Sequence, residues 1–258
     1  MSYATSFDGS QLWFDATGTE GAPILLIAGN GCDHDAWRIA LPELSNAHRV
    51  IYYDHRGTGR SDATFPDVWS TRDFARDAVA ILDALAIKRA HVYGHSMGGR
   101  IAQWFAIDYP DRVGALLLGA TSPGDRHGVP RTDEATAALS SGDLASMQRL
   151  CFTESWIDAH PELARSGAPN PRDRRAFQMH LSASTEHDAW DALPTIIAPT
   201  LVIHGADDHL TLPANAERII DRIPGSRLLM IEGARHIYWA GFPEAHREVL
   251  DFVGEHPL

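Results

Sequence analysis

The chain of 258 residues is 44% hydrophobic and 22% charged, an ordinary globular composition for one large domain with room for an insertion. Its 34 acidic against 22 basic residues give a formal charge of −12, which argues against nucleic acid or an anionic membrane surface as partner. Two cysteines, Cys32 and Cys151, are too few for a disulfide framework, and no spacing suits a bound metal. With no secretory leader and no apolar run long enough to span a bilayer, a soluble cytoplasmic protein is the expectation.

In chain order, residues 3–15 alternate around Asp8-Gly9, a hairpin signal. Pro23–Ala28 is a continuous apolar run, as expected of a strand buried on both faces, and it ends in the turn Gly29-Asn30-Gly31-Cys32. A helix is expected over Asp35–Leu44 with Asp33 or Asp35 as cap. The strand Arg49–Tyr53 comes next, ending in the loop Asp54–Asp62. Thr71 and Asp73 open a helix to Leu85 whose apolar Phe74, Ala78, Ile81, Leu82 and Leu85 share one face. After it come a strand at Ala90–Tyr93, a helix at Arg100–Ile107 and a strand at Val113–Gly119. Then the rhythm breaks. Residues 122–193 hold no strong strand, only helical pieces at Glu134–Leu139, Leu144–Phe152 and Arg172–Ser182. The alternation resumes with a strand at Ala198–Gly205, a helix at Pro213–Ile223, a strand at Arg227–Ile231 and a helix at Glu244–Val253. Strands alternating with helices imply an α/β fold with a mostly parallel central sheet covered on both faces. The division expected is a core of 1–121 and 194–258 with a helical insertion at 122–193.

The stretch Tyr93-Gly94-His95-Ser96-Met97-Gly98-Gly99 lies between a strand and a helix. A Gly-x-Ser-x-Gly so placed forms a strained turn that lifts a serine hydroxyl clear of the sheet. Gly94 and Gly98 keep Cβ atoms out of the space where strand and helix nearly touch. Ser96 is therefore the candidate nucleophile. A serine needs a general base, and the base needs an orienting carboxylate. In a parallel sheet such groups gather beyond the carboxyl ends of the strands. The loop after the last strand supplies His236 as base; the loop after Thr200–His204 supplies Asp208, with Asp207 as the alternative. His95 is assigned to packing and His204 to a buried strand end, while His34 and His55 lie in loops bordering the pocket. Backbone N–H groups of Met97 and Asn30 are the candidate oxyanion donors. Trp37, Trp156, Tyr238 and Trp239 are the candidate pocket walls, and Phe65, Trp69, Phe152 and Trp190 are further aromatics in loops or the insertion. Arg126, Arg131 and Arg235 are the arginines available to a charged substrate, without forming a cluster in the sequence.

With Asp54-His55-Arg56-Gly57-Thr58-Gly59-Arg60-Ser61, Gly94–Gly99, Gly205-Ala206-Asp207-Asp208 and Gly233-Ala234-Arg235-His236 in order, the sequence resembles the α/β-hydrolase superfamily over essentially its whole length. The resemblance implies the α/β-hydrolase fold, a helical cap at 122–193, the order Ser96, Asp208, His236, and a structural role for the loop carrying Arg56 and Asp62. It also supports Asp208, three residues after the strand-end glycine. One departure is Ala28-Gly29-Asn30-Gly31 where many relatives carry His-Gly, which alters the pocket floor. Within the superfamily the sequence is similar to small capped esterases and lactonases such as enol-lactonases. The activity implied is hydrolysis of a small ester or lactone, with an apolar pocket and no cofactor or metal. Carbon–carbon bond hydrolysis or cofactor-free perhydrolysis on the same residues, and a non-enzymatic small-molecule receptor, are the alternatives.

Overall fold

Alternating residues on either side of Asp8-Gly9 pair as a hairpin, β1 (Ser2–Thr5) with β2 (Gln11–Thr17), in the computed structural model, which describes residues 2–18, 20–65, 68–141, 143–165 and 174–258. β2 then pairs antiparallel with β4 (Arg49–Tyr53), and from there every pairing is parallel. The order is β1-β2-β4-β3-β5-β6-β7-β8, with β3 at Pro23–Ile27, β5 at Ala90–His95, β6 at Val113–Gly119, β7 at Thr200–Gly205 and β8 at Arg227–Ile231. β5 and β6 are buried at every residue, which is why β6 reads as a continuous apolar run rather than an alternating one.

Helices cover both faces. On one side α2 (Thr71–Ala84) and α3 (Met97–Asp108) pack through Phe74, Ile81, Ile101 and Phe105; α8 (Ala214–Ile220) joins them. On the other, α1 (Leu41–Ser45) and α9 (Pro243–Glu255) close over Ile24, Leu26 and Leu117 with Leu44, Val249 and Phe252. α2 is capped by Ser70, whose hydroxyl accepts from Asp73 N–H while the Asp73 carboxylate accepts from Ser70 N–H. The helix expected over Asp35–Leu44 is not continuous. A 3-10 turn at His34–Trp37, capped by Asp33, gives way to the short α1. Pro42 is the reason: it has no N–H for a continued helix and its ring would crowd the preceding turn, but it is tolerated at a helix start.

Between β6 and β7 the described residues form α4 (Asp133–Ser141), α5 (Leu144–Cys151), α6 (Glu154–Ala159) and α7 (Arg174–Thr185), with no strand. α6, capped by the Thr153 hydroxyl, was not foreseen from the sequence. Residues 172–173 of the helix expected there lie outside the described residues. Among the described residues no helix is long and apolar enough to cross a membrane.

Candidate active site

The turn between β5 and α3 forces Ser96 to φ 58° and ψ −121°, a conformation that costs roughly 1–3 kcal/mol for a non-glycine residue. The neighbouring strand fixes it. Ser96 N–H donates to Gly119 O at 2.9 Å, and Thr121 Oγ1 donates to Ser96 O at 2.7 Å. A Cβ on Gly94 would overlap the Gly98 carbonyl, and one on Gly98 would overlap the carbonyls of Ile27 and Ala28. Ser96 is the one residue from His91 to Arg100 that is not fully buried. Met97 is the first residue of α3, so its N–H has no acceptor within the helix.

His236 and Asp208 meet because two loops close on each other. A Cβ on Gly205 would strike the carbonyls of Ala234 and Arg235, and Asp207 N–H donates to Ala234 O at 2.9 Å. His236 Nδ1 then donates to Asp208 Oδ2 at 2.8 Å, with both side chains buried. Asp207 is exposed and makes no such contact. The other Asp208 oxygen accepts from the amides of Leu210 and Thr211 at 2.8 and 2.9 Å. His204 adds a further donor: its Nε2 lies 2.7 Å from Thr211 O and 3.3 Å from Asp208 Oδ2. Burial alone would raise the Asp208 carboxyl, but the facing His236 and His204 outweigh it and hold the group well below the usual carboxylate range. His95, beside the serine, donates from Nε2 to His236 O at 3.0 Å and packs between the His236 ring, tilted to it, and the Trp239 ring, edge-on to it. Burial, with His236 nearby, depresses its imidazole to about 3, so it stays neutral.

Ser96, Met97, His236 and Asn30 line one cavity of about 90 Å3 beneath the insertion. Gly29 faces the serine, its Cβ position being 3.4 Å from Ser96 Cβ. The Ala28–Gly31 turn is held from both sides by histidines. His55 Nε2 donates to Ala28 O at 3.0 Å; His180, on α7, accepts Gly31 N–H at Nδ1 (3.3 Å) and donates from Nε2 to Arg56 O at 2.8 Å. Burial lowers both, to about 4 for His55 and about 3 for His180. Both amide atoms of the Asn30 side chain are buried without a partner among the described residues.

Of the expected pocket aromatics, Trp37 and Trp239 line the cavity and stack on each other 5.3 Å apart. Trp156 and Tyr238 do not. Trp156 stacks between Phe152 and His160 and covers Gly241, so it packs within the insertion and against the loop below. Tyr238 points under the sheet: its hydroxyl meets that of Tyr93, and it fills the space beside Gly119. Phe65, Trp69, Phe152 and Trp190 are also off the wall, as are His34 and His55. Of the expected arginines only Arg131 lines the cavity; Arg126 faces Asp188, and Arg235 donates to Arg149 O. Arg100 was missed, although it sits one helical turn after Ser96 and so shares its face.

Arg56 belongs to the fold, with Nε and Nη2 on Asp77 and Nη1 on Asp8 at 2.7 Å. Asp33, His34 and Asp54 bring donor atoms within 4.8 Å of one another, as a metal set would. Their atoms are committed to each other, however: His34 Nδ1 lies 2.7 Å from Asp54 Oδ1, and Arg60 N–H donates to Asp54 Oδ2.

A mostly parallel sheet of this order, with a serine on a strained strand–helix turn and a histidine–aspartate pair on loops at the carboxyl ends of its strands, has the architecture of the α/β-hydrolase class. A family model of the alpha/beta hydrolase fold matches residues 22–155, just over half the chain, and the chain belongs to that family. It is similar to a putative carbamate hydrolase RutD of Caulobacter sp. (strain K31), 31% identical over 244 residues that cover 89% of this chain and 90% of the relative. Among solved structures, Est816, described as an N-acyl homoserine lactone degrading enzyme, matches with a TM-score of 0.82 at 31% identity, covering 97% of this chain and 99% of its own. The enol-lactonase from Burkholderia xenovorans LB400 also matches at 0.82, with 25% identity and coverage of 98% and 100%. The protein is a hydrolase of this family.

Proposed function

We propose that the protein hydrolyses a small carboxylic ester or lactone through an acyl-enzyme on Ser96. The observation that carries this reading is the buried 2.8 Å contact between His236 Nδ1 and Asp208 Oδ2, in the same cavity wall as the strained serine. Because Nδ1 carries the proton that Asp208 accepts, Nε2 is left free to take the Ser96 proton as Oγ attacks the carbonyl carbon. The imidazolium formed is stabilised by a carboxylate that stays ionised, given its depressed pKa. The amides of Met97 and Asn30 receive the developing oxyanion; one such donor is worth about 3 kcal/mol of transition-state stabilisation. His236 then returns its proton to the leaving oxygen. Water attacks the acyl-enzyme by the same route, restoring Ser96 and releasing the acid.

The helices between β6 and β7 act as a cap, and Leu139, Met147 and Leu181 give the cavity beneath them apolar walls for an acyl group. A carbamate presents the same carbonyl to the same serine, and the curated relatives bearing that name favour it as the second reading. The test is turnover of p-nitrophenyl acetate, butyrate and N-methylcarbamate, and of a short lactone, by wild type and Ser96→Ala. Ester turnover lost in Ser96→Ala supports acyl transfer. Carbamate turnover exceeding ester turnover replaces the first reading by the second, and activity surviving in Ser96→Ala sinks both.

A further inference from the structure

The cavity wall carries a charge pattern opposite to that of the chain. Acidic residues outnumber basic ones 34 to 22 overall, yet among the described residues no aspartate or glutamate lines the cavity, whereas Arg100 and Arg131 both do. Both terminal nitrogens of Arg100 are engaged. Its Nη1 donates to Ser184 O and to Ser184 Oγ (3.2 Å), and its Nη2 to Ser122 Oγ (2.8 Å) and Asp125 Oδ1 (2.7 Å). Arg131 has no hydrogen bond or ion pair with any described residue, although the backbone that carries it is fastened. Asn215, buried on α8, accepts Val129 N–H at 2.7 Å and donates to Val129 O at 3.0 Å, and Gly128 N–H donates to Gly124 O at 2.7 Å. Arg131 thus reaches the cavity wall from a fixed support, its charge near enough to act on that of Arg100.

Two like charges beside one enclosed space are unfavourable, and Asp125 offsets only that of Arg100. An anion between the wall and Ser96 would relieve this. A guanidinium offers paired N–H donors that match the two oxygens of a carboxylate. We propose that the substrate is an acyl compound bearing a carboxylate, with that carboxylate on Arg131, backed by Arg100, and the scissile carbonyl at Ser96. This deepens the ester-hydrolase reading and rests on it for the position of the carbonyl.

The experiment compares two esters with one leaving group, neutral p-nitrophenyl butyrate and anionic mono-p-nitrophenyl succinate, on wild type, Arg131→Gln and Arg131→Lys. The anionic ester should have the higher kcat/KM on wild type. Arg131→Gln should lower that value about 10- to 100-fold, the span of a charge-assisted hydrogen bond, and lower the butyrate value by a far smaller factor. Arg131→Lys should recover part of the loss by keeping the charge without the fork. Equal effects on both esters, or none, would overturn the proposal. Thermal unfolding of Ser96→Ala protein with succinate, glutarate or inorganic phosphate reads binding without turnover. Carboxylate stabilisation that disappears in Ser96→Ala/Arg131→Gln supports the anion site even if no ester is cleaved, in which case only the ester reading fails. Stabilisation by phosphate but not by carboxylates, or by neither, overturns the carboxylate assignment.

Discussion

On the sheet side of the cavity, backbone lies directly on backbone: Gly98 against Ile27 and Ala28, Gly94 against Gly98, Gly205 against Ala234. On the insertion side the contacts are mostly side chains reaching into that frame. His180 grips the Ala28–Gly31 turn, Ser184 holds Arg100, and the last carbonyls of α5 accept from His236 and Ile237 N–H. The first arrangement fixes where Ser96, Asp208 and His236 stand, because a backbone contact permits no alternative rotamer. The second sets size and charge, through Arg131, Leu139, Met147 and Leu181. Chemistry and selectivity are therefore separable by mutation.

The sharpest break is in the sheet-side loops. Asp208→Asn should lower kcat about 10,000-fold, since the amide favours the wrong imidazole tautomer. Asp207→Asn, on the exposed neighbour, should stay within twofold, and steady-state kinetics on the same ester read both. Acid should act next, and on both sides at once. His55, His95 and His180 are buried and neutral, with folded values of about 4, 3 and 3, below the ordinary 6.5. The unfolded chain therefore takes up protons that the folded one refuses. Their contribution is fully present above pH 6.5 and is lost as pH falls, by about 1.4 kcal/mol per pH unit for each group, or about 4 for the three. Urea unfolding midpoints at pH 7, 6 and 5 measure the sum, to which the buried His91 and His187 add in the same direction; a flat profile would mean that these imidazoles are accessible. Gly98→Ala should cost about 3 kcal/mol, because its Cβ would overlap carbonyls that cannot move apart. Gly29→Ala meets only ordinary contact with Ser96 and should fold normally while slowing turnover, a contrast seen by pairing thermal unfolding with kinetics.

The same division explains what the sequence revealed. Strand runs such as Leu116-Leu117-Leu118, the Gly94–Gly98 turn and the Asp208 and His236 loops were legible because each is a local pattern with a local steric cause. The aromatics were not. Tyr238 and Trp239 are adjacent, yet one turns under the sheet and the other into the cavity, and the turn that separates them has no distinctive residue pattern. Trp156 was misplaced because α6, which orients it, was itself unforeseen. Arg131 could be named as available but not placed, since Asn215 fixes its support from 86 residues beyond Val129.

His180 tests whether the two sides are coupled. It stands in α7, 149 residues from Gly31, and its two nitrogens serve opposite partners, which requires the neutral form with the proton on Nε2. His180→Phe fills the same space beside Trp69 and Phe74 but leaves Gly31 N–H and Arg56 O unpaired, a cost of about 2 kcal/mol in stability. If the turn's geometry matters only once the oxyanion forms, kcat should fall about tenfold, equivalent to about 1.4 kcal/mol, with KM nearly unchanged. His180→Gln keeps one acceptor and a donor, and should recover much of that kcat. A stability loss with kcat intact would make His180 a fastening of the insertion alone, and the Ala28–Gly31 turn would then hold its shape from the sheet side without help.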